Sequence, residues 1–379
     1  SDLEKMKNLL FYGTTNYDKK LSKSDNLKFK ELDRHFNTHV MTLGNNKEYI
    51  KHDNVQIFYL KKPKLIISQY LYFYFFNFRN FKKYCFENKI DIVSAKDPIA
   101  GFIPVMYKKI YDNNIKIIIE HHGDFLDLLL NQRKFNLKFL IKIIAKSISE
   151  FTYKNCDFIR GVEKTYTEKL ADKYNKNYHY FPAWVDYTIF KKENLNRKNF
   201  LFIGNIIPRK GVDFIIKNFN DFSLKNNFNE KLLIIGENQN SDYFNKCIDF
   251  VKQNEIKNIE FLGKKSQDEI SYLLSSSRLL IMASNYEGLP RVLIESGLCA
   301  TPSLATDIQG IKEPFGSDGG TLIYQLNNSV DFKSQLKIFV NDKNFENELQ
   351  NKAHSLATKL SGADSFGDNW NKLVESLYE

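Results

Sequence analysis

The chain has 379 residues, of which 42% are hydrophobic, 26% charged and 15% aromatic, and its formal net charge is +10. That length allows two domains with cores of their own, and the composition is that of a soluble globular protein, which excludes disordered and fibrous classes. The positive balance asks for an anionic partner, whether nucleotide, phospholipid or nucleic acid. Cys85, Cys156, Cys247 and Cys299 are scattered without C-x-x-C spacing, which argues against a disulfide framework or zinc site and fits a reducing cytoplasm. The chain begins with a charged segment, Ser1 to Lys7, and no signal peptide is visible. The most apolar stretch, Leu65 to Phe78, is short and carries Gln69 and Asn77, which makes a poor spanning helix.

Lys7 to Thr15 reads as a first strand ending in a small-residue loop. Gly13 would let backbone approach a ligand there, or the loop is an ordinary strand-to-helix turn. Glu31 to Thr38 is expected to be helical, Val40 to Leu43 and Val55 to Leu60 to be strands, and Lys64 to Asn88 to be long and helical. Ile90 to Pro98 gives a strand and its C-terminal loop. Lys116 to Glu120 is the next strand, ending in His121-His122-Gly123-Asp124. Ligands of open parallel sheets lie beyond the carboxyl ends of strands, so both loops are candidates. His122 is a ligand contact, or a capping or core histidine. Asp124 faces an acceptor, or caps the next helix.

In that next helix Lys134, Lys138, Lys142 and Lys146 repeat every four residues along one slowly drifting face, with mostly apolar residues between. A basic amphipathic helix of this kind can lie on an anionic membrane, each lysine contributing about 1 kcal/mol. The competing reading is a solvated lysine stripe on a helix packed against its own sheet. Asp157 to Val162 is a short strand, and Tyr178 to Pro182 leads to the domain boundary after Asp186.

Phe200 to Gly204 opens a second nucleotide-binding-like unit and runs into Asn205-Ile206-Ile207-Pro208-Arg209-Lys210-Gly211. Arg suits bidentate phosphate contacts and Lys acts as a point charge, so Arg209 and Lys210 are candidates for a diphosphate; the alternative is two solvated cations before a helix. Lys231 to Gly236 and Ile259 to Lys264 are strands, and Ser266 to Ser275 is a helix. Leu279 to Ala283 reads as a buried parallel strand. The chain then turns through Ser284 to Gly288 and enters a helix at Pro290, the usual proline position in a first turn. Glu287 and Glu295 bracket this turn. A helix start has unpaired N–H groups and partial positive charge, so it is an anion site. Pro290 has no N–H, which leaves Leu289, Arg291 and Val292 as donors. Pro302 to Thr306 is a strand, Gln309 to Glu313 a turn into a short helix, Phe332 to Leu360 largely helical, and Trp370 to Leu377 the last helix.

The segment from Asn285 to Glu295 resembles the E-x7-E signature of the retaining glycosyltransferases of family 4. The resemblance extends to Asp97 to Gly101, to His122-Gly123, to Ala183 to Phe190, and to the loop ending in Lys210-Gly211, where Asn205 stands in place of the family's Arg. It implies an α/β fold of the GT-B type, two Rossmann-like doubly wound domains facing a cleft. Residues 1–186 would form the acceptor domain, with a C-terminal helix (364–379) crossing back to it, and residues 187–363 the donor domain. The resemblance implies that Glu295 holds the ribose hydroxyls and that Glu287 lies by the donor sugar. Gly288, Leu289, Arg291 and Val292 would meet the diphosphate or sugar hydroxyls from the helix start. Lys210, with Arg209, would serve the leaving diphosphate, and His122 would touch the sugar or diphosphate. Gly13 and Lys264 would border the donor, Lys264 in the base-binding loop.

The implied activity is transfer of a hexose, with retention, from a nucleotide sugar (a UDP-sugar) to a hydroxyl of a glycan or lipid-linked acceptor, in cell-surface polysaccharide or glycolipid synthesis. The leaving phosphate itself would take the acceptor proton. The nucleotide sugar is a co-substrate, no cofactor is expected, and the chain has no Asp-x-Asp motif, which fits metal-independent catalysis. No nucleic-acid partner is expected, since zinc-finger, RNP and basic-region motifs are missing. The expected location is cytoplasmic, peripheral on the inner face of the membrane if the lysine helix docks there. Two other readings stay open: a sugar-nucleotide 2-epimerase of the same architecture, and a non-catalytic protein that binds membrane or nucleic acid.

Overall fold

The computed structural model describes residues 6–64, 72–122 and 138–379. The chain divides into two compact units, Ser1–Trp184 with Asp364–Glu379, and Val185–Ala363.

In the first unit the strands are β1 (Lys7–Tyr12), β2 (Phe36–Gly44), β3 (Glu48–Lys51), β4 (Gln56–Lys61), β5 (Ile92–Ala95), β6 (Lys116–His121), β7 (Phe158–Gly161) and β8 (Asn177–Tyr180). They pair in the order β3-β4-β2-β1-β5-β6-β7-β8, parallel throughout except β3 against β4. The central strands carry apolar runs, Leu9 to Tyr12 in β1 and Ile117 to Ile119 in β6, because both faces are covered. Ile117 and Ile119 enter one core, and Ile118 enters the other with Phe29, Phe181 and Trp370. The order reverses between β1 and β5, the switch point of a doubly wound sheet.

In the second unit β9 (Phe200–Ile203), β10 (Leu232–Ile235), β11 (Ile259–Gly263), β12 (Leu279–Ile281), β13 (Ser303–Thr306) and β14 (Thr321–Tyr324) pair in the order β11-β10-β9-β12-β13-β14, all parallel. Phe200 and Phe202 enter one core and Leu201 the other. The switch point here lies between β9 and β12.

Several boundaries differ from expectation. The first helix, α1 (Lys23–Asp33), begins earlier because Ser22 caps it, its Oγ accepting from the Asp25 N–H at 3.0 Å. Thr38 is therefore strand, not helix: within Phe36–Gly44 the residues from Thr38 to Thr42 are all buried in the sheet, with β-branched Thr38, Val40 and Thr42 among them. The aromatic stretch after Lys64 is not one helix. Its described part is a π-helical turn (Tyr72–Phe76), then buried Asn77, then α2 (Phe78–Glu87). Helix α3 (Phe102–Ile110) follows β5, α4 (Lys138–Asn155) follows β6, and α5 (Lys164–Tyr174) follows β7.

In the second unit α6 (Val212–Asn226), α7 (Ser241–Gln253), α8 (Gln267–Ser275), α9 (Arg291–Leu298) and α10 (Gln309–Phe315) link the strands. Pro290 is the N-cap of α9, with φ −72° and ψ 110°, one residue before the position expected for it. The final helical stretch is broken at Asp342, which ends α11 (Ser329–Asn341) and caps α12 (Lys343–Ser361) through a 3.0 Å bond from the Phe345 N–H. The last helix, α13 (Ser365–Glu375), packs in the first unit, where Trp370 is 1% exposed and meets Phe11 and Phe181 edge-on. The four cysteines are buried free thiols. No described helix is long and apolar enough to cross a membrane.

Candidate active site

The loops after β9 and β12 leave neighbouring strands at the switch point of the second sheet, where open α/β sheets bind ligands. Gly211 lets them touch. Its φ is +61°, and a Cβ there would lie 2.4 Å from the Ala283 carbonyl oxygen; both facts call for glycine. The Asn285 N–H donates to the Arg209 carbonyl at 2.9 Å and ties the loops together.

This crossing brings Arg209 and Lys210 to Glu287. Lys210 Nζ lies 2.5 Å from Glu287 Oε1, and Arg209 Nη1 lies 3.3 Å from the same oxygen. Arg209 Nη1 also donates to the Tyr286 carbonyl at 2.5 Å. The Glu287 side chain is 10% exposed. A third loop supports it from behind. A Cβ on Gly310, at the start of α10, would lie 1.9 Å from the Gly288 carbonyl oxygen and 2.4 Å from that of Glu287, so any side chain there displaces the turn.

After Gly288 and Leu289, Pro290 caps α9. Arg291 and Val292 are its first residues, whose N–H groups precede any partner within the helix. The Leu293 N–H is already engaged by the Pro290 carbonyl at 3.0 Å. Glu295 lies one turn on, 13% exposed, with Arg291 Nη2 at 3.4 Å. Burial pushes the Glu295 carboxyl above its usual range, and Arg291 offsets this in part. Lys264, at the end of β11, is exposed and paired with Glu237 at 2.5 Å; its hydrogen bond and charge hold Glu237 below the usual carboxylate range. The arrangement can neutralise an anion beside a helix start and offer carboxylates to hydroxyl groups.

In the first unit, Gly13 follows β1 at that sheet's switch point. A Cβ there would lie 2.7 Å from the Lys96 Cβ. Asp97 accepts from the Ala100 N–H at 2.7 Å, within its own loop. His122, just past β6, is 35% exposed and has Nε2 3.0 Å from Glu120 Oε2. Its neighbour His121 points the other way, buried, with Nδ1 3.2 Å from the Tyr153 hydroxyl and its ring stacked on Tyr166. Burial pushes His121 down to about 3, aided by the charge of His122.

Glu120 and Arg160 were not singled out from the sequence. Their nearness depends on β6 pairing with β7, which no local pattern reveals; the i, i+2 spacing of Glu120 and His122 was the readable part. Asp124 and Lys134 lie outside the described residues, and Lys138 begins the described part of α4. Lys142 and Lys146 are exposed, beside Ile143 and Ile144 at 46% and 50% exposure.

Residues 186–356 match the family described as Glycosyl transferases group 1. The Anabaena protein Alr3699/HepE, solved in complex with UDP, superposes with a TM-score of 0.72 over 98% of this chain and all of that one, at 12% identity. The fold is GT-B, and the group 1 match lies in its second unit. An uncharacterized glycosyltransferase of Methanocaldococcus jannaschii is 31% identical over 216 residues, 56% of this chain and 58% of that protein. A Campylobacter jejuni α-1,4-N-acetyl-D-galactosaminyltransferase, named for an undecaprenol-diphosphate-linked substrate, is 24% identical over 78% of this chain and 79% of its own. The group 1 match begins at Asp186 and covers Lys210, Glu287 and Glu295.

Proposed function

We propose that the chain is a retaining glycosyltransferase of the family 4 type, moving a hexose from a UDP-sugar to a hydroxyl of a glycan or lipid-linked acceptor. The observation that carries this reading is the convergence of Lys210 and Arg209 on Glu287 at the β9/β12 switch point, beside the start of α9. A leaving diphosphate gains charge as the sugar departs, and two cations beside helix N–H groups would stabilise it without a metal ion. Glu287 would accept hydrogen bonds from the donor sugar as its cations turn to the phosphates. Arg209 takes the part of the Arg that Asn205 replaces. Glu295 would hold the ribose hydroxyls.

The UDP in the Anabaena structure and the name of the Campylobacter relative support a UDP-sugar and a lipid-linked acceptor. Lys142 and Lys146, flanking two half-exposed isoleucines, support a peripheral place on an anionic membrane in cell-surface polysaccharide or glycolipid synthesis.

The test is a thermal-shift panel of nucleotide sugars, since a ligand that binds only the folded state raises its stability by about 2.7 kcal/mol at a hundred times Kd. A UDP-sugar should give the largest shift, and NMR of the product should show the donor's anomeric configuration retained. Epimer formed without an acceptor, or no shift from any nucleotide sugar, overturns the reading.

A further inference from the structure

Glu287 meets its two cations through one oxygen. Lys210 Nζ lies 2.5 Å and Arg209 Nη1 3.3 Å from Oε1, while Oε2 accepts no hydrogen bond among the described residues. The side chain is 10% exposed, so little water reaches it. It has no room to retreat, because Gly310 backs the carbonyls of Glu287 and Gly288. Arg209 is anchored through Nη1 to the Tyr286 carbonyl, and the rest of its five-donor fork is left for an anion. The carboxylate thus holds the cations that a diphosphate needs, and a diphosphate at this site must take them from it.

A buried carboxylate stripped of its cations is costly unless something else donates to it. What enters decides whether anything does. The hydroxyls of a nucleotide sugar can donate to the carboxylate and replace the bonds it loses. A nucleoside diphosphate brings no such hydroxyl, and it carries more negative charge on the terminal phosphate that the sugar has left. We propose that Glu287 discriminates between the intact donor and the spent nucleotide: the sugar satisfies it, whereas against the diphosphate alone it takes its cations back and favours release. The residue that receives the sugar thereby weakens product inhibition. The identity of the hydroxyl donor rests on the proposed function; the competition between carboxylate and diphosphate does not.

The experiment is calorimetry of the full chain, wild type against Glu287→Gln, with inorganic pyrophosphate, UDP and the UDP-sugar that leads the thermal-shift panel. The amide keeps the shape of the side chain and removes its charge, which frees the cations. Pyrophosphate and UDP should bind the variant about tenfold more tightly, the UDP-sugar within about twofold of wild type or more weakly. Glu260→Gln removes the same charge from a half-exposed position on β11, where Glu260 pairs with Lys231, and should move pyrophosphate by less than about twofold.

Pyrophosphate that binds neither protein, or binds Glu287→Gln no more tightly than wild type, overturns the competition, and so does an equal gain in Glu260→Gln. An equal gain for UDP and the UDP-sugar overturns the discrimination. Should Glu287→Gln not fold, Glu287→Ala is read by the same criteria. If pyrophosphate behaves as expected and no nucleotide binds, the proposed function fails while the competition stands.

Discussion

Glu120 and Glu287 both draw basic side chains to the carboxyl ends of strands, and they do so by different constructions. Glu120 is part of a strand, and Ser94 and Arg160 reach it from the strands on either side. Its geometry is written into the sheet's hydrogen bonds. Glu287 belongs to a loop, and its cations arrive from another loop, 77 residues away in sequence, through the Gly211 crossing. Arg209 and Lys210 are 26% and 15% exposed, against 1% for Arg160. The first cluster is fixed in the sheet. The second can exchange partners and let its cations pass from a carboxylate to an incoming anion.

The largest effect should come from the exchangeable cluster. Lys210→Ala is expected to lower kcat by about 100- to 1,000-fold, with a smaller change in KM, as for loss of a group that stabilises developing charge. Arg209→Ala should cost less, and Asn205→Arg added to it should restore part of the rate. Steady-state kinetics showing the loss in KM alone would erase the contrast between the clusters.

The fixed cluster should show itself in acid. Burial pushes the Glu120 carboxyl up, but the hydrogen bond and charge of His122, with Arg160 and Ser94, outweigh it and hold the group at about 2. A folded value below the unfolded one stabilises the protein at neutral pH, here by about 3 kcal/mol. That contribution is lost as pH falls from about 4.5 towards 2. Denaturant unfolding of wild type and Glu120→Gln should therefore show a gap at pH 7 that closes in acid. A gap independent of pH would mean the carboxylate is not held by charge.

Glu295 sharpens the comparison from the other side, because burial raises it and only Arg291 compensates. Its folded value lies above the unfolded one, so its stabilising contribution is present in acid and is lost as pH rises through the folded value. At neutral pH the buried charge is a cost. Glu295→Gln should raise the melting temperature of the ligand-free protein at pH 7, with no gain in acid, while weakening UDP binding by about 10- to 100-fold through loss of hydrogen bonds to a charged group. A lower melting temperature at pH 7 would contradict this account.

The smallest effect lies away from both clusters. Lys142→Gln should reduce sedimentation with anionic vesicles by about fivefold, the worth of one lysine near a charged surface, and unchanged sedimentation would leave α4 as a solvated face.

The sequence made the central strands legible because both faces of each sheet are covered, so runs such as Lys116–Glu120 and Phe200–Gly204 stand out as apolar. It failed where local propensity met tertiary context. Glu31 to Thr38 reads as helical because no glycine or proline separates the end of α1, which Ser22 caps, from the start of β2. At the candidate site, the spacing of Glu287 and Glu295 and the Arg209-Lys210 pair were visible as residue types. Their meeting depends on β9 and β12 being neighbours, a long-range fact. Glu120 and Arg160 stayed hidden for the same reason, since a charged residue on a strand looks like solvent-facing polarity until its partner strand is known.

The return of α13 sets an order of events during synthesis. Trp370 closes the core against Phe11 and Phe181 and lies 5.9 Å from the Arg160 guanidinium, while α13 comes after the whole second unit in the chain. Domains generally fold as they leave the ribosome, the earlier one first. Here the earlier one stays unfinished until the later one has been translated, so a fragment stopped at residue 184 would leave an aromatic socket open to aggregation and would be a poor vehicle for studying His122 in isolation.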